Sequence, residues 1–399
     1  MNNGKQILWL QVCGLAMVQG AITLSWVIYN FYLPKLLVQF GFPKSLAISL
    51  LIVENALAVF MEPLMGSLSD NRQRWFASRF PFITVGVLLS SALFIAIPCV
   101  VTFVSPTTVF KFVLPPLLVA WALAMTVFRS PVLSLLGRYA MPKSLPMAVS
   151  VLTLIGGVIG SFRIAANDLL LSFGPLMTFS FGSFVLLGSA AVLRLIHPPE
   201  VISDKPVDKH QAQSALPISF QALGLIFVLG GSFAWGYRLL LDGVSKFLKL
   251  QLNSDNIQLQ MVIFGITAAI AALPAGLIAK KIGNRQAMLG GIATVVLLML
   301  LLPLIGANVI LLAPLAISSS FILNGTIPFA LEMVPSDRGG LGIGMYFGGV
   351  GLAMSIFGSI FSKPQAITPQ LAALMSAVAF CLVFGCVASS NFIQRKQKI

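Results

Sequence analysis

The stretch Gly66–Gly86, GSLSDNRQRWFASRFPFITVG, places one carboxylate, three arginines and a tryptophan between two long apolar runs of the chain. A second short basic stretch, Gly276–Gly291, reads GLIAKKIGNRQAMLGG and again follows an apolar run. Each stretch comes after the second long apolar run of its half of the sequence. Matching features at corresponding positions of two halves are typical of membrane proteins built from an internal repeat.

The composition of the chain is that of a protein embedded in lipid. Of its 399 residues, 58% are hydrophobic and only 9% are charged, and the mean hydropathy is +0.96. Soluble domains carry roughly 25% charged residues, so water is the wrong solvent for most of this surface. An apolar run of about 20 residues crosses a bilayer as a helix. The sequence therefore predicts an all-α membrane protein that crosses the bilayer many times.

Twelve apolar runs divide into two sets of six. Their approximate ranges are 8–33, 45–67, 80–103, 109–135, 147–170, 174–196, 217–241, 257–280, 286–306, 308–331, 340–361 and 370–391. Only one connection, residues 197–216, is long and polar, and its content of Pro, Asp and Lys is typical of a flexible linker. The sequence thus predicts two pseudo-symmetric six-helix bundles, residues 1–196 and 217–399, joined by a cytoplasmic linker.

The distribution of Lys and Arg predicts the orientation of the chain. With the N-terminus inside, 17 of the 25 Lys and Arg residues lie at the inner ends of the runs and 8 at the outer ends. Because cytoplasmic loops are enriched in Lys and Arg, both termini are expected in the cytoplasm, and a bacterial inner membrane is the expected location. Lys5 precedes a long apolar run without a cleavage site of small residues, which indicates a retained first helix rather than a signal peptide.

A second pair of matching stretches supports the repeat. Ala140–Gly157 (AMPKSLPMAVSVLTLIGG) precedes and enters the fifth run, and Met333–Gly349 (MVPSDRGGLGIGMYFGG) precedes and enters the eleventh. Each contains a proline that is followed 13 or 14 residues later by a Gly-Gly pair. At these stretches, and at Gly66, Asp70 and Arg72, the chain resembles the major facilitator superfamily over its whole length.

Three stretches narrow this resemblance. Residues 61–70 (MEPLMGSLSD), 79–83 (RFPFI) and 334–349 (VPSDRGGLGIGMYFGG) are similar to the sucrose-transporter and glycoside–pentoside–hexuronide branch. The resemblance implies the major facilitator fold, in which the first, fourth, seventh and tenth helices line a central cavity. The second, fifth, eighth and eleventh helices lie beside them. It also implies that charged residues between the second and third helices hold the two halves together on the cytoplasmic side.

Glu54 is the strongest candidate for a functional charge inside the membrane. It lies about nine residues into the second run, or ~14 Å by helical rise, which is close to the midplane. A carboxylate at that depth is costly on insertion scales and is a functional hypothesis by default. Because burial favours the protonated form of a carboxyl group, Glu54 is a candidate proton carrier or solute ligand. The alternative is pairing with a neighbouring Arg or hydroxyl for packing alone.

The candidate solute and proton pathway consists of polar and aromatic residues within the runs: Glu54, Asn55, Arg163, Gln19, Asn30, Trp26, Asn324 and Tyr346. Aromatic faces with amide partners suit sugars or other mid-sized polar solutes, and an unpaired amide in lipid is costly. For Trp26 the alternative is anchoring at the membrane interface. For Arg163 the alternative is an ion pair with a nearby carboxylate or an extended side chain that reaches the headgroups.

The candidate cytoplasmic gate consists of charged residues near the inner ends of the runs: Glu62, Asp70, Arg72, Arg79, Lys281, Arg285, Glu332 and Arg338. Glu62 is favoured as a salt-bridge residue over a solute contact. Arg129, near the inner end of the fourth run, is expected to reach the headgroups. Arg238 and Asp242 are four residues apart, and they are expected to pair on one helix surface.

The sequence disfavours several other classes of protein. The net charge of +14 comes from short turns and not from a basic domain, which argues against nucleic-acid binding. All four cysteines lie in apolar runs, and both histidines lie in the linker, so neither a disulfide framework nor a metal site is expected. No phosphate-binding glycine motif or nucleophile triad is present, so neither an enzyme nor a cofactor is expected.

The favoured function is therefore a monomeric secondary transporter in the lipid bilayer that couples protons to symport of a sugar or similar small solute. A second hypothesis is export of an amphipathic compound. A third is a membrane assembly factor that transports nothing and resembles bacteriochlorophyll-delivery proteins. The sequence leaves the solute and the direction of transport open.

Overall fold

A computed structural model provides the fold, which is helical in the residues that it describes. The described residues are 7–76, 78–104, 110–163, 167–198, 219–361 and 367–397, without the side chains of 72–76, 110, 167–169 and 393–397. The predicted linker at residues 197–216 therefore lies outside this description from residue 199 onward. Apart from one isolated bridge between Ile7 and Ala140, the regular elements in the described ranges are helices.

The described residues of the first half form seven α-helices. They are α1 (Trp9–Gln39), α2 (Ser45–Phe76), α3 (Phe80–Phe103), α4 (Leu114–Ser134), α5 (Leu136–Tyr139), α6 (Leu145–Ser161) and α7 (Asn167–Ile196). Helix α5 is a single turn that continues α4 towards α6. Helix α7 consists of two helical segments, because Gly174 adopts non-helical dihedral angles with a φ of 72° directly before Pro175. That break explains why the apolar pattern of the sixth run begins at residue 174.

In the second half, the part of the chain that the structure describes forms six α-helices. They are α8 (Phe220–Leu252), α9 (Gln258–Ile282), α10 (Asn284–Ile305), α11 (Val309–Glu332), α12 (Gly339–Ile360) and α13 (Pro369–Gln397). Helix α8 runs past the predicted end at residue 241, because its last turns carry an Asp242–Lys246 pair at helical spacing and continue to a left-handed Asn253. Polar residues of this kind end an apolar run without ending the helix.

The described residues contain twelve helices that are long and apolar enough to cross a membrane. These helices correspond one to one with the twelve runs of the sequence, so the prediction of a membrane protein with twelve spanning helices is confirmed. Within each half the helices pack on one another, for example α1 on α7 and α3 on α4 in the first half, and α8 on α13 in the second.

The two halves meet mainly along two pairs of helices, α2 with α12 and α6 with α9, with smaller contacts of α6 with α11 and of α4 with α12. The first contact is close enough to bring backbones together: a Cβ atom at Gly66 would lie 2.1 Å from the Gly340 carbonyl oxygen. Likewise, a Cβ atom at Gly344 would lie 2.4 Å from the Glu62 carbonyl oxygen. Small residues permit this close approach of helices in membranes. The glycines of α12 therefore form part of the surface that joins the halves.

Candidate functional site

Two adjoining cavities lie between the halves. The first has a volume of about 650 Å³ and is lined by α1, α6, α8, α9, α11 and α12, with Leu133 from α4. The second has a volume of about 570 Å³ and is lined mainly by α1, α2, α8 and α12. Asn30, Arg163, Arg238 and Met354 line both cavities, so the two cavities adjoin at these residues. Volumes in this range are typical of small-molecule sites.

One face of α1 supplies the polar wall of the first cavity. Gln19, Thr23, Trp26 and Asn30 line it, and their spacing of three or four residues places them on one side of the helix. The Nδ2 atom of Asn30 donates a hydrogen bond to the Trp26 carbonyl at 2.7 Å. The buried Oε1 atom of Gln19 and Nε1 atom of Trp26 have no hydrogen-bond partner among the described residues. Both atoms are inaccessible in this structure, so they would bond to a solute only after neighbouring side chains move.

The other predicted pathway residues have different positions. Tyr346 lines the first cavity. Asn55 lines the second cavity, and its Nδ2 atom donates to the Leu51 carbonyl at 2.7 Å. Asn324 lines neither cavity, because its Nδ2 atom donates to the Ala272 carbonyl at 2.6 Å and thereby joins α11 to α9.

Glu54 lies one layer behind the cavity wall. Its side chain is 5% exposed, and Tyr29 donates a hydrogen bond from its hydroxyl to the Oε1 atom. The Oε2 atom has no partner among the described residues. The ring of Trp26, which lines the first cavity, lies 5.8 Å from that of Tyr29 in an edge-on arrangement, whereas Glu54 lines neither cavity.

The end of the bundle at Asp70 is closed by hydrogen bonds between the halves. The Asp70 carboxylate accepts from the backbone N–H groups of Gly340 at 3.0 Å and Leu341 at 2.8 Å, at the N-terminus of α12. Free N–H groups and the helix dipole favour a negative charge at such a terminus. Arg79 pairs with Asp70 at 2.6 Å and also donates to the Ser134 hydroxyl. Although burial lowers the pKa of Arg79, the charge of Asp70 opposes this shift.

A second charged group lies deeper at the same end. Glu62 is fully buried and accepts from the Nε atom of Arg129 at 2.8 Å and from the Ser130 hydroxyl. The Arg129 guanidinium lies 4.1 Å from the centre of the Phe347 ring of α12. Glu62 therefore forms the predicted salt bridge, whereas the expectation that Arg129 reaches the headgroups is wrong. The sequence could not reveal this pair, because the two residues belong to different helices.

The remaining predicted gate residues are less closely connected to this network. Arg338 donates to the Asn71 side chain at 3.0 Å and so bridges the halves. Arg285 donates to the carbonyls of Val387 and Ala388 at 3.0 and 2.7 Å, which joins α10 to α13 within the second half. Lys281 and Glu332 are exposed. The side chain of Arg72 lies outside the described part of the structure.

At the Arg163 end, opposite the Asp70 end, the ion pairs differ from those expected. Asp242 pairs with Lys246 at 2.7 Å, so the expected pair of Arg238 with Asp242 is wrong. Arg238 instead faces the cavity, and its guanidinium lies 5.7 Å from the centre of the Phe357 ring. Arg238 and Lys246 each lie four residues from Asp242 on α8, so helical spacing allows either pair. The packing of α8 against α12 decides between them.

No group of three or more His, Cys, Asp or Glu residues that could hold a metal ion occurs in the described ranges. Cys13, Cys99, Cys381 and Cys386 are free thiols.

Comparison with solved structures identifies the fold. The chain is similar to a bacterial homologue of the iron transporter ferroportin in an outward-facing state, with a TM-score of 0.71 and 13% identity over 96% of this chain and 99% of that one. It is also similar to the major facilitator superfamily transporter FucP in its outward conformation, with a TM-score of 0.67 and 13% identity over 94% and 98% of the two chains. The human organic anion transporter MFSD10 matches with a TM-score of 0.66 and 14% identity over 97% and 100%.

The fold is that of the major facilitator superfamily. By sequence, no family model and no curated protein matches the chain. The helices that line the two cavities follow the arrangement that the resemblance implies for the major facilitator fold, since none of the lining residues belongs to α3, α7, α10 or α13. These four correspond to the third, sixth, ninth and twelfth spanning helices.

Proposed function

We propose that the protein is a secondary membrane transporter that works by alternating access. The observation that carries this proposal is a cavity with several polar residues in its wall, which lies between two halves that hydrogen bonds hold together at one end. Asp70 and Arg338 make such bonds across the halves, and the cavity continues toward Arg163 at the other end. Breaking the bonds at Asp70 while the Arg163 end closes would expose the same cavity to the other side of the membrane.

We propose that residues 1–196 and 217–399 act as the two moving bodies and that the protein works as a monomer. The Asp70 end faces the cytoplasm in this proposal, because Lys and Arg are more frequent on that side. Both chain termini then lie in the cytoplasm of a cell whose inner membrane holds the protein.

We propose that the solute is a sugar or a similar small polar compound. The support comes from the cavity wall, to which Gln19, Trp26, Tyr237 and Tyr346 all contribute. Rings that stack on a solute and amides that bond to it are suited to polyhydroxylated compounds. One structural neighbour is described as a fucose:proton symporter.

We propose that Glu54 carries the coupling proton. An ionised carboxylate in apolar surroundings is costly without a cation partner, and no described cation pairs with Glu54. Trp26 lies against both the solute cavity and Tyr29, the hydrogen-bond partner of Glu54. A solute that moves Trp26 would thereby change the access of water to this carboxyl group.

Reconstituted vesicles with an imposed pH gradient test the proposed function. We test a panel of radiolabelled sugars and sugar acids. We expect at least one compound to accumulate inside vesicles when the outside is acidic and the inside alkaline, and not to accumulate when the two pH values are equal. Extrusion under the same gradient would favour the exporter. If no solute moves and a pigment or membrane complex co-purifies with the protein, the assembly factor is correct and the transporter proposal is wrong.

A further inference from the structure

We propose that the transported solute carries a carboxylate group, which binds between the guanidinium groups of Arg163 and Arg238. This inference rests on the proposed transport function and specifies the chemical class of the solute. The inference specifies an organic anion as the solute. The aromatic and amide residues of the cavity wall, taken alone, would suit a neutral sugar equally well.

The two arginines approach the cavity from different halves. Arg163 lies two residues beyond the end of α6 in the first half, and Arg238 lies in α8 of the second half. Both side chains are exposed, and both line the first and the second cavity. Arg238 is held in place because Trp235, three residues earlier, donates to the Ala353 carbonyl of α12 at 2.5 Å.

The charges of the described lining residues do not balance. The first cavity has two charged lining residues, Arg163 and Arg238, and no Asp or Glu lines it. The second adds Asp242 and Lys246, which pair with each other at 2.7 Å. Neither guanidinium forms an ion pair with a carboxylate whose side chain the structure describes. The joined cavity therefore keeps two positive charges that no described acid neutralises.

The electrostatic environment shows that the two groups influence each other. The pKa of Arg163 is lowered, mainly by burial between the halves and further by the charge of Arg238. The side chain is enclosed by protein but open to the cavity. A bound anion would offset the repulsion between the two positive charges. It would also replace the hydrogen bonds to water that burial removes, because a guanidinium binds a carboxylate through two parallel hydrogen bonds.

The surroundings of the two arginines indicate the rest of the solute. Asn30 lines both cavities beside the arginines, and the rings of Phe233 and Tyr237 stack 5.7 Å apart on the adjacent face of α8. A site of this kind combines an anion clamp with an amide and apolar rings. Sugar acids and aromatic carboxylic acids both contain the shared group, and the experiment distinguishes them.

Binding to the purified full-length protein tests the proposal with matched pairs of probes. The pairs are D-glucuronate with D-glucose, and phenylacetate with 2-phenylethanol, each measured by thermal shift and by titration calorimetry. We expect the carboxylate of at least one pair to bind and its neutral partner to bind at least tenfold more weakly. The pair that shows the difference tells a sugar acid from an aromatic acid.

Variants place the anion at the two arginines. We expect Arg163→Gln and Arg238→Gln each to weaken binding of the carboxylate at least tenfold. Lys44→Gln also removes one positive charge, but Lys44 is exposed and lines neither cavity. This variant should therefore bind the carboxylate as tightly as the unaltered protein does. If either glutamine variant does not fold, Arg163→Lys and Arg238→Lys are measured instead. These variants keep the charge but lose the planar guanidinium group. We expect their affinity for the carboxylate to fall several-fold and their affinity for the neutral partner to stay the same.

Three outcomes overturn the proposal. The first is equal affinity for the carboxylate and the neutral partner, and the second is equal carboxylate binding in the arginine variants and Lys44→Gln. In both cases the transporter proposal survives with a neutral solute. The third is that vesicles transport no compound of either kind, which removes the transport function and this inference with it.

Discussion

Glu54 combines burial, a single hydroxyl partner and one unpartnered oxygen in the described structure. A structural carboxylate in a membrane is usually paired with a cation, because the cost of the charge is otherwise uncompensated. The arrangement at Glu54 instead leaves room for a proton to come and go. Tyr29 fixes the position of the group without neutralising it.

We expect Glu54→Gln to abolish accumulation of the solute under a pH gradient, because the amide cannot release a proton. Binding of the solute should remain within about threefold, since Glu54 lines neither cavity and loss of one neutral hydrogen bond costs about 1 kcal/mol at most sites. Uptake and equilibrium binding are measured on the same preparation.

The control for this variant is Asp255→Asn, which also replaces an acid by its amide at a side chain that is 97% exposed. It should leave both uptake and binding unchanged. Gradient-driven accumulation in Glu54→Gln, with the pH profile of the unaltered protein, would remove Glu54 from the coupling mechanism.

At the residue scale, the sequence predicted the depth of a buried charged residue more accurately than it predicted which residues form ion pairs. The depth of Glu54 in the second run follows from residue counting and helical rise, and its burial in the structure agrees with that position. Arg129 was expected to reach the headgroups but pairs with Glu62, and Asp242 was assigned to Arg238 but pairs with Lys246. An ion pair between helices depends on their relative rotation and spacing, and a single sequence contains neither quantity.

Helices α2 and α12 form the element that closes the Asp70 end. The Asp70 carboxylate joins the N-terminus of α12 to α2, while the pair with Arg79 compensates its charge. The glycines of both helices allow the backbones to touch beneath this bond. Closure thus depends on charge at the end of the helices and on shape along them.

We expect Asp70→Asn to open the Asp70 end, because breaking a buried pair by removing one partner costs about 3–5 kcal/mol. The measurement uses a reporter thiol at Ser69→Cys, a fully buried position, in a protein whose native cysteines are replaced by serine. Asp70→Asn should increase its rate of maleimide labelling at least tenfold.

Asp255→Asn is again the matched control. It breaks an exposed ion pair with Lys249, and such pairs contribute about 1 kcal/mol or less. Equal labelling rates in the two variants would mean that Asp70 does not hold the helices together.

We expect Gly344→Ala to lower the thermal unfolding temperature, because the new Cβ atom would lie 2.4 Å from the Glu62 carbonyl oxygen. Overpacking of this kind costs about 1–3 kcal/mol. Gly290→Ala in α10 meets nothing within 4 Å, so it should leave the temperature unchanged or raise it slightly. A fall of the same size in both variants would contradict the close packing of α2 on α12.

At the element scale, the number of spanning helices was predictable because apolar length is a direct consequence of bilayer thickness. Their ends were less predictable. Helix α8 continues through a charged pair to Leu252, and α7 begins before the glycine that interrupts it. Backbone hydrogen bonding sets these limits, whereas hydropathy reports only the part that lies in lipid.

For the molecule as a whole, the two halves and the cavity between them predict obligatory movement. We expect a cross-link between Asn71→Cys and Arg338→Cys to stop transport, because these positions bridge the halves at the Asp70 end. A short bismaleimide reagent forms the link in a background without native cysteines. Either single variant treated with the same reagent is the control and should retain uptake, while full transport by the linked protein would exclude a rocking motion at this end.

The whole-molecule fold was accessible from sequence because the matching stretches at Asp70 and Lys280 mark a repeat, and the structural comparisons confirm the fold that it indicates. The solute was not accessible to the same degree. Arg163 and Arg238 lie far apart in sequence, and their common position on the cavity wall depends on how the two halves are placed together.

Arg163 and Arg238 also have a consequence for an unloaded carrier. They come from different halves of the molecule and line the same cavities. The proposed alternating-access cycle would narrow the space between the halves, and like charges resist being brought together. A carboxylate bound between the two guanidinium groups would replace this repulsion with attraction. Binding of the proposed solute would thereby make closure of the cavity more favourable. In the proposed cycle the carrier without solute therefore changes state more slowly than the loaded carrier. A carrier that holds only a proton is slowed in the same way, which would limit leakage of protons across the membrane.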